Sequence, residues 1–182
     1  VPIEYEAMAV HHITQAMADR HGPFDEDQKG FVRNLFAGRI PVAHNAAFDV
    51  AVMKREGIEI PEFICILKVA RRLWPEWPSH KLQYLRYRLG LQVATGPAHD
   101  AMADAKVLQA VFGRMLEQTK NRQECKTMDT AGVLNVMLQW TKDPSILWLA
   151  TFGKYKGKTW ADIARDDISY LYWMQKQDCA PD

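Results

Sequence analysis

Two segments of the sequence hold side chains that could do chemistry, VAHNAAFD at residues 42–49 and HDAMADA at residues 99–105. The first ends in Asp49, on the opening turn of a predicted helix. The second places His99 just before another helix and Asp104 one turn inside it. Carboxylate and imidazole groups bind cations and exchange protons near neutral pH. Each residue taken singly also has a structural explanation, because helix N-termini favour acidic side chains and His99 could be a surface residue.

A basic and aromatic segment occupies the middle third of the chain. Residues 1–60 carry a net charge of −3, residues 61–124 of +4 and residues 125–182 of zero. Cations contact phosphates and aromatic rings stack on bases, so this mixture suits a nucleic-acid strand. Composition alone favours the alternative, a solvated amphipathic helix whose aromatic rings pack in the core. The side chains concerned are Lys68, Arg71, Arg72, Lys81, Arg86 and Arg88, with Trp74, Trp77, Tyr84 and Tyr87 between them.

The overall composition is that of a globular protein. The chain has 182 residues, a net charge of +1, 48% hydrophobic and 25% charged residues, and is long enough for one substantial core. No apolar run is long enough to cross a membrane, so no membrane partner is expected. Three widely spaced cysteines favour a reducing, cytoplasmic setting. The opening residues do not predict secretion, and the near-zero charge argues against a long polyanion groove.

Strands that alternate with helices predict an α/β layer fold. Strands are predicted at residues 39–44 and 63–67, and helices at residues 4–10, 24–36, 46–56, 81–89, 100–118 and 129–140. Asn45 is the expected N-cap of the helix after the first strand. In the 100–118 helix, apolar residues at steps of three and four predict a core-facing stripe of Ala101, Ala105, Leu108, Phe112 and Met115.

Three regions are predicted along the chain. Residues 1–119 form the main α/β domain, and residues 120–146 are a polar linker followed by a helix. Residues 147–182 are a small basic and aromatic module, a hairpin followed by a helix. Gly153 and Gly157 punctuate its turn, while Thr159 is the expected N-cap of its helix.

The two motif segments together resemble a known family. An HNxxFD element followed about fifty residues later by HxAxxDA is similar to the second and third motifs of the DEDDh 3′→5′ exonucleases, which include polymerase proofreading subunits and RNase T. AVHHIT at residues 9–14 looks like the family's VHxIT segment, and CILKVARRLWP at residues 65–75 like its CTxxLAR element. FGKYKGKTWADIA at residues 152–164 resembles a segment of exodeoxyribonuclease X-type members. The resemblance covers residues 2–118 and, more loosely, 151–175.

This resemblance implies an RNase H-like mixed sheet flanked by helices. It also implies metal-dependent removal of nucleotides from single-stranded or frayed DNA 3′ ends, releasing nucleoside 5′-monophosphates in repair or proofreading. RNA stays open as a substrate, because the group contains enzymes for both. By the same resemblance Asp49 and Asp104 coordinate two divalent cations, Mg²⁺ or Mn²⁺, and His99 is the general base. Paired cations stabilise the attacking and leaving oxygens, and an imidazole suits proton removal at neutral pH.

Further contacts with substrate are predicted with weaker support. The VHxIT segment borders the nucleotide pocket in the family, and arginines after the second strand suit phosphates. The hairpin lysines suit a grip on nucleic acid outside the active site, although a stabilising hairpin with a solvated face explains them equally well. The substrate-binding candidates are His11, Ile13, Thr14, Asn45, Phe48, Arg71 and Arg72, and the accessory contacts are Lys154, Lys156 and Lys158.

The family's first motif, Asp-x-Glu on the opening strand, has no match after Val1. Glu4 and Glu6 are interpreted as charges at a helix N-terminus. Three explanations are open: the motif lies upstream of Val1, the chain is a degenerate homologue, or another chain supplies the first strands. We expect the first. Two other functional classes also stay open, a catalytically inactive nucleic-acid-binding module and an interaction subunit of a polymerase or repair complex.

Overall fold

The computed structural model describes residues 2–93, 101–145, 147–150 and 152–177. Within them the chain forms ten α-helices, a short 3-10 helix at Gln123–Cys125 and two strands. No helix in these ranges is both long and apolar enough to cross a membrane. In chain order the elements are α1 (Tyr5–His11), α2 (Gln15–His21), α3 (Glu26–Phe36), β1 (Val42–Ala43), α4 (Ala46–Arg55), β2 (Ile64–Cys65), α5 (Ile66–Leu73), α6 (Leu82–Arg88), α7 (Ala101–Lys120), α8 (Thr130–Lys142), α9 (Trp160–Asp166) and α10 (Ile168–Gln175).

The two strands form a parallel pair flanked by helices. Val42 lies opposite Ile64 and Ala43 opposite Cys65. Both predicted strands are present, but each is shorter than predicted. Before β1, Pro41 has no N–H to donate to a sheet, although its carbonyl accepts a 2.9 Å hydrogen bond from the N–H of Ile64. After β2 there is no loop, because α5 begins at the very next residue.

The longest helix, α7, presents a different face to the core from the one predicted. Its buried positions recur every four residues, which keeps them on one side of the helix. Ala101 and Ala105 are exposed, so the prediction for these two is wrong, while Leu108 and Phe112 are partly buried at the edge of the core. Contacts with α5, α6 and α8 select the buried face. Its residues are Ala103, Val107, Val111, Met115 and Thr119.

Helix α8 belongs to the same core as β2, α5 and α7. Val133, Met137 and Leu138 are buried against that core. The backbone N–H of Cys65 in β2 donates a 3.0 Å hydrogen bond to Oγ1 of Thr141, whose hydroxyl donates a 3.0 Å bond to the carbonyl of Met137. The strand is therefore joined to the end of α8 by a buried polar contact as well as by packing.

Two cations of α5 also bind the C-terminal end of α8. Lys68 Nζ donates hydrogen bonds of 2.7 and 3.0 Å to the carbonyls of Thr141 and Asp143. Arg72 forms a 3.4 Å ion pair with Asp143. Both cations face the negative end of the helix dipole, where positive charge is stabilising.

Cys125, from the polar segment predicted as a linker, is fully buried. The division of the chain into three regions stays a prediction.

The C-terminal segment contains the hairpin and two helices rather than one. Leu149 and Thr159 form an antiparallel bridge. Thr159 caps α9 as predicted, its hydroxyl accepting a 3.0 Å bond from the N–H of Asp162. Asp167 then interrupts the helical backbone and caps α10, its carboxylate accepting a 3.1 Å bond from the N–H of Tyr170. The interruption at this residue divides the single predicted helix.

Replacing Thr141 by Val tests the link between β2 and α8. The variant nearly keeps the side-chain volume but removes the acceptor of the buried Cys65 N–H, which costs about 1–3 kcal/mol of unfolding free energy. Urea titration followed by circular dichroism measures the loss. The matched change Thr127→Val at an exposed position is expected to lie within about 0.5 kcal/mol of the parent. Equal stability of the two variants would show that the bond contributes nothing.

Candidate nucleic-acid cleft and carboxylate site

A cleft of about 860 Å³ lies between three parts of the chain. Its walls are the β1–α4 connection, α5 with the α5–α6 connection, and the hairpin at the start of the C-terminal segment. Among the described residues that line it there are cations and aromatic rings but no carboxylate, so the cleft favours anions. We call it the central cleft. Its polar and aromatic lining residues are His44, Asn45, Phe48, Arg71, Trp77, Ser79, His80, Lys81, Trp148 and Lys156.

The turn from β1 into α4 brings two predicted substrate contacts to the central cleft. Asn45 has left-handed backbone angles, φ 60° and ψ 47°, and makes no side-chain hydrogen bond to the helix. Asn45 is thus the N-cap residue of α4, as predicted, but its side chain makes no capping bond, because such a side chain reaches the first turn from an extended backbone. Asn45 instead lines the cleft together with Phe48, which is 70% exposed. Asp49 follows directly, on the first turn of α4.

The two predicted metal-binding carboxylates lie on different helices. Burial raises the pKa of Asp49 above its usual value, and its carboxylate has no ion pair within the described ranges. Asp104, partly buried on the first turn of α7, accepts a 2.9 Å hydrogen bond from Nε2 of Gln83 in α6. An amide donor orients a carboxylate without cancelling its charge. His99, the predicted general base, lies outside the described residues.

These carboxylates fit a divalent cation in their chemistry. Mg²⁺ prefers hard oxygen ligands, and both Asp49 and Asp104 offer oxygens that no cationic side chain of the described chain neutralises. The described residues contain no cluster of three or more His, Cys, Asp or Glu side chains suited to a metal ion. Coordination of a cation by the two aspartates therefore stays a prediction.

Two histidines whose pKa values are lowered line the central cleft. Burial lowers the pKa of His44, and the positive charge of Arg71 lowers it further. Burial also lowers the pKa of His80, whose Nε2 lies 2.9 Å from the carbonyl of Trp74. Because a carbonyl only accepts, Nε2 of His80 carries the proton and Nδ1 is left as an acceptor. Nδ1 of His44 is buried without a hydrogen-bond partner in the described structure.

The basic side chains of the middle third have different partners. Lys68 and Arg72 bind the end of α8, and Arg86 donates a 2.7 Å hydrogen bond to a backbone carbonyl. Arg71 and Lys81 line the central cleft. Arg72 does not line that cleft, and its role in substrate binding stays a prediction.

The aromatic rings of the same segment form a stacked cluster at the edge of the cleft. Trp74 and Trp77 stack with centroids 4.6 Å apart and planes 6° from parallel. Tyr84 meets Trp77 edge-on at 6.2 Å, and Arg88 lies 5.5 Å from the centre of the Trp77 ring. Both tryptophans also pack against the core. Trp77 therefore agrees with both interpretations of the sequence, because its ring packs against the core and also lines the cleft.

Ile13 and Thr14 of the VHxIT-like segment are not among the residues that line the central cleft. Ile13 is 44% exposed. Thr14 caps α2, its hydroxyl accepting a 3.3 Å hydrogen bond from the N–H of Met17. The side chain of His11 lies outside the part of the chain that is described. Nucleotide contact by these three predicted residues stays a prediction.

The three hairpin lysines have unequal surroundings. Lys154 forms a 2.8 Å ion pair with Asp167, and Lys158 lies 3.9 Å from Asp166. Lys156 lines the central cleft and has no ion pair within the described ranges. One of the three lysines is thus available to a ligand in the cleft, while the other two are paired within the C-terminal segment.

Sequence reasoning did not single out His80 or Trp148 as cleft residues. The local signal for His80 was present, because WPEWPSHKL is a proline-rich connection between two helices that holds one histidine and two tryptophans. No local signal existed for Trp148. Its place in the lining depends on how the hairpin packs against residues far away in the sequence.

Two family models match this chain, one over its first part and one near its C-terminus. Residues 1–112 match the model of the family described as Exonuclease, and residues 151–178 match the model described as Exodeoxyribonuclease X-like C-terminal. The first match contains Asp49, His99 and Asp104, and the second contains the hairpin lysines. The predicted motif segments therefore lie within the matched regions.

Individual proteins give the same result. The chain is 36% identical over 178 residues to exodeoxyribonuclease 10 of Escherichia coli K12, covering 95% of this chain and 71% of that protein. It is 28% identical over 151 residues to the DNA polymerase III epsilon subunit of Haemophilus influenzae, covering 78% of this chain and 58% of that subunit. The structure resembles that of exonuclease X in complex with 5′ overhanging duplex DNA, with a TM-score of 0.54, 30% identity and coverage of 78% of this chain and 75% of the other. These matches confirm the predicted RNase H-like fold, and the chain belongs to the exonuclease family.

Proposed function

We propose that the protein is a metal-dependent 3′→5′ exonuclease that hydrolyses phosphodiester bonds at DNA 3′ ends and releases nucleoside 5′-monophosphates. The observation that carries this proposal is the position of Asp49. It follows directly on Phe48, which lines a cationic cleft, and the residue pattern around it belongs to the exonuclease family. A carboxylate with no ion pair in the described structure thus follows directly on a residue of the cleft wall.

Each chain residue has a defined task in this proposal. Asp49 and Asp104 hold two divalent cations, Mg²⁺ or Mn²⁺, which when bound stabilise charge on the attacking and leaving oxygens. His99 takes the proton of the attacking water. Phe48 offers its exposed ring to a terminal base, and Arg71 offers its charge to phosphate. Gln83 fixes the orientation of Asp104 through the hydrogen bond between α6 and α7.

DNA is the proposed substrate rather than RNA. The relatives with the stronger matches are named as exodeoxyribonuclease and DNA polymerase subunit, and the similar solved structure holds a DNA duplex with a 5′ overhang. We therefore propose single-stranded or frayed DNA 3′ ends as the ligand, repair or proofreading as the role and the cytoplasm as the location. The similarity to a polymerase epsilon subunit supports a polymerase or repair complex as partner.

A 3′-end degradation assay tests the activity. With a 5′-labelled single-stranded DNA and Mg²⁺, the product ladder should shorten from the 3′ end and release mononucleotides, and EDTA should stop it. An RNA of the same sequence should be degraded more slowly. Strand binding that EDTA does not affect, without release of mononucleotides, would identify an inactive binding module. A protein with no affinity for free DNA would instead fit an interaction subunit.

Substitution of the three predicted active-site residues should separate chemistry from folding. Asp49→Asn, Asp104→Asn and His99→Ala are each expected to slow turnover by at least about a hundredfold, since cation binding and proton transfer supply several kcal/mol of the barrier reduction. Asp27→Asn, an exposed change on α3, is the matched control and should leave the rate unchanged. An active His99→Ala variant would rule out His99 as the general base.

Thermal unfolding gives a test of the cation site that does not depend on activity. Added Mg²⁺ should raise the Tm of the parent protein, because a ligand that binds only the folded state stabilises it. The rise should be absent from Asp49→Asn and Asp104→Asn and present in Asp27→Asn. The same Mg²⁺-induced rise in all four proteins would place cation binding elsewhere.

Strand binding should depend on pH through the two cleft histidines. Burial lowers the pKa of both, and Arg71 lowers each of them further, whereas the hydrogen bond to Trp74 and the charge of Glu76 raise the pKa of His80. A bound phosphate backbone raises both pKa values, so protons are taken up on binding and affinity increases as pH falls from about 7 towards 5. Fluorescence anisotropy in EDTA at constant salt measures this trend.

The controls for the pH dependence are single histidine variants. His80→Gln should flatten the increase in affinity at low pH. His21→Gln, at the exposed end of α2, should leave it as in the parent. Equal pH profiles for these two variants would show that His80 is not coupled to binding.

A further inference from the structure

We propose that the hairpin of the C-terminal segment forms the outer wall of the central cleft and contacts a single strand of DNA through Lys156 and Trp148. This inference rests on the proposed exonuclease function and extends it to a second part of the chain. It assigns a ligand to a surface that lies outside the predicted active-site residues. The occupant is a single-stranded segment of the substrate on its way to Asp49.

The distribution of charge within the hairpin favours Lys156. Asp167 and Asp166 pair with Lys154 and Lys158, so the charge of these two lysines is balanced within the segment. Lys156 has no such partner in the described structure and lies on the cleft. Among the three hairpin lysines, Lys156 is therefore the one that adds positive charge to the cleft lining, where it can contact a phosphate.

The backbone of the hairpin holds Lys156 in place. The N–H of Gly157 donates a 2.7 Å hydrogen bond to the carbonyl of Ala150, and the N–H of Ala150 donates a 2.9 Å bond to the carbonyl of Lys158. The hydroxyl of Tyr155 donates a 2.8 Å bond to Asp167. A turn fixed on both sides of residue 156 loses little conformational freedom when a ligand binds, which favours affinity.

The opposite wall has the composition that single strands require. Arg71 and Lys81 face the same cleft as Lys156, so cations lie on both sides of the space. Trp77 and Phe48 line it from the exonuclease side and Trp148, 54% exposed, from the hairpin side. Cations for the backbone together with rings for the bases are the common design of sequence-independent single-strand sites. An acidic protein segment would use the cations but would leave the rings without stacking partners.

The central cleft adjoins the start of α4. Asn45 and Phe48 line the cleft, and Asp49 is the next residue of this helix, although it is not among the lining residues. In this proposal the terminal nucleotide of the strand lies at the α4 side of the cleft. Lys156 and Trp148 are accordingly expected to govern the binding of the strand rather than the chemical step.

Binding of a fluorescein-labelled oligothymidylate, measured by anisotropy in EDTA, tests Lys156. Lys156→Ala should weaken binding roughly fivefold to tenfold at low salt and reduce the slope of log K against log salt by about 0.7, the value for one phosphate contact with a single strand. Lys156→Arg should retain both affinity and slope. Lys126→Ala, which removes an exposed charge outside the cleft, is the matched control and should equal the parent.

Trp148→Ala tests the stacking contact separately. Loss of one stacked base is expected to weaken binding by about tenfold and to leave the salt slope unchanged, because no ion is involved. The two variants should thus differ in salt dependence while both weaken binding. Thermal unfolding of each variant confirms that the binding comparison concerns folded protein. The Tm of the Lys156 variant is expected to match that of the parent, because Lys156 is exposed.

Failure of this inference differs from failure of the proposed function. If the parent degrades DNA but Lys156→Ala and Trp148→Ala bind like Lys126→Ala, the hairpin does not hold the strand and the inference is wrong, while the exonuclease function stands. If the parent neither binds nor degrades DNA, both are wrong. Competition with an acidic peptide tests the choice of a nucleic-acid occupant. If the peptide displaces the oligonucleotide from protein with intact Trp148 but not from Trp148→Ala, that choice is wrong.

Discussion

The burial of α7 against α5, α6 and α8 fixes the position of the groups in the candidate site. Val107 and Val111 on α7 are fully buried in a cluster that includes Ile64 of β2 and Met137 of α8. This packing places the first turn of α7 beside α6, where Gln83 binds Asp104. It also anchors β2, against which β1 pairs and from which α4 is positioned. Any change that loosens the cluster therefore acts on carboxylates that lie outside it.

The net charge of the whole chain does not describe the charge of its individual surfaces. The net charge of +1 argued against a polyanion groove, but it averages groups with unrelated roles. Lys68 and Arg72 stabilise the end of α8, whereas Arg71, one residue earlier, faces the central cleft. Successive helical residues point about 100° apart, so neighbours in sequence serve different surfaces. An enzyme that meets one strand end requires a small cationic cleft and a few carboxylates for cations, and these nearly cancel in the total.

Features set by nearby residues were predictable from the sequence. Thr159 caps α9 as expected, and Asp25, at the start of the predicted 24–36 helix, forms a capping box with Gln28. The motif segments also sufficed for the family, because their residue types and spacing are specific. In these cases the partner lies within a few residues, and the interaction is visible in the local pattern.

Features set by distant residues were not predictable. The buried face of α7 depends on which helices contact it, so periodicity alone gave Ala101 and Ala105 in place of Ala103 and Val107. The left-handed backbone of Asn45 and the binding of Arg72 to Asp143, 71 residues away, are likewise results of tertiary packing. The central cleft is the extreme case, since its lining combines residues 44–81 with residues 147–157.

The Asp167 carboxylate makes the C-terminal segment a single cooperative unit. It accepts hydrogen bonds from Lys154 and Tyr155 in the turn and from the N–H of Tyr170 in α10, and these bonds, Lys154 foremost, hold its pKa well below the usual range. Opening α10 therefore also releases the turn. The backbone amides of both parts should exchange with solvent at a common rate, and a protease that captures one in its open form will find the other unfolded as well. A substitution at Asp167 is therefore expected to loosen the turn of the hairpin and the last helix together.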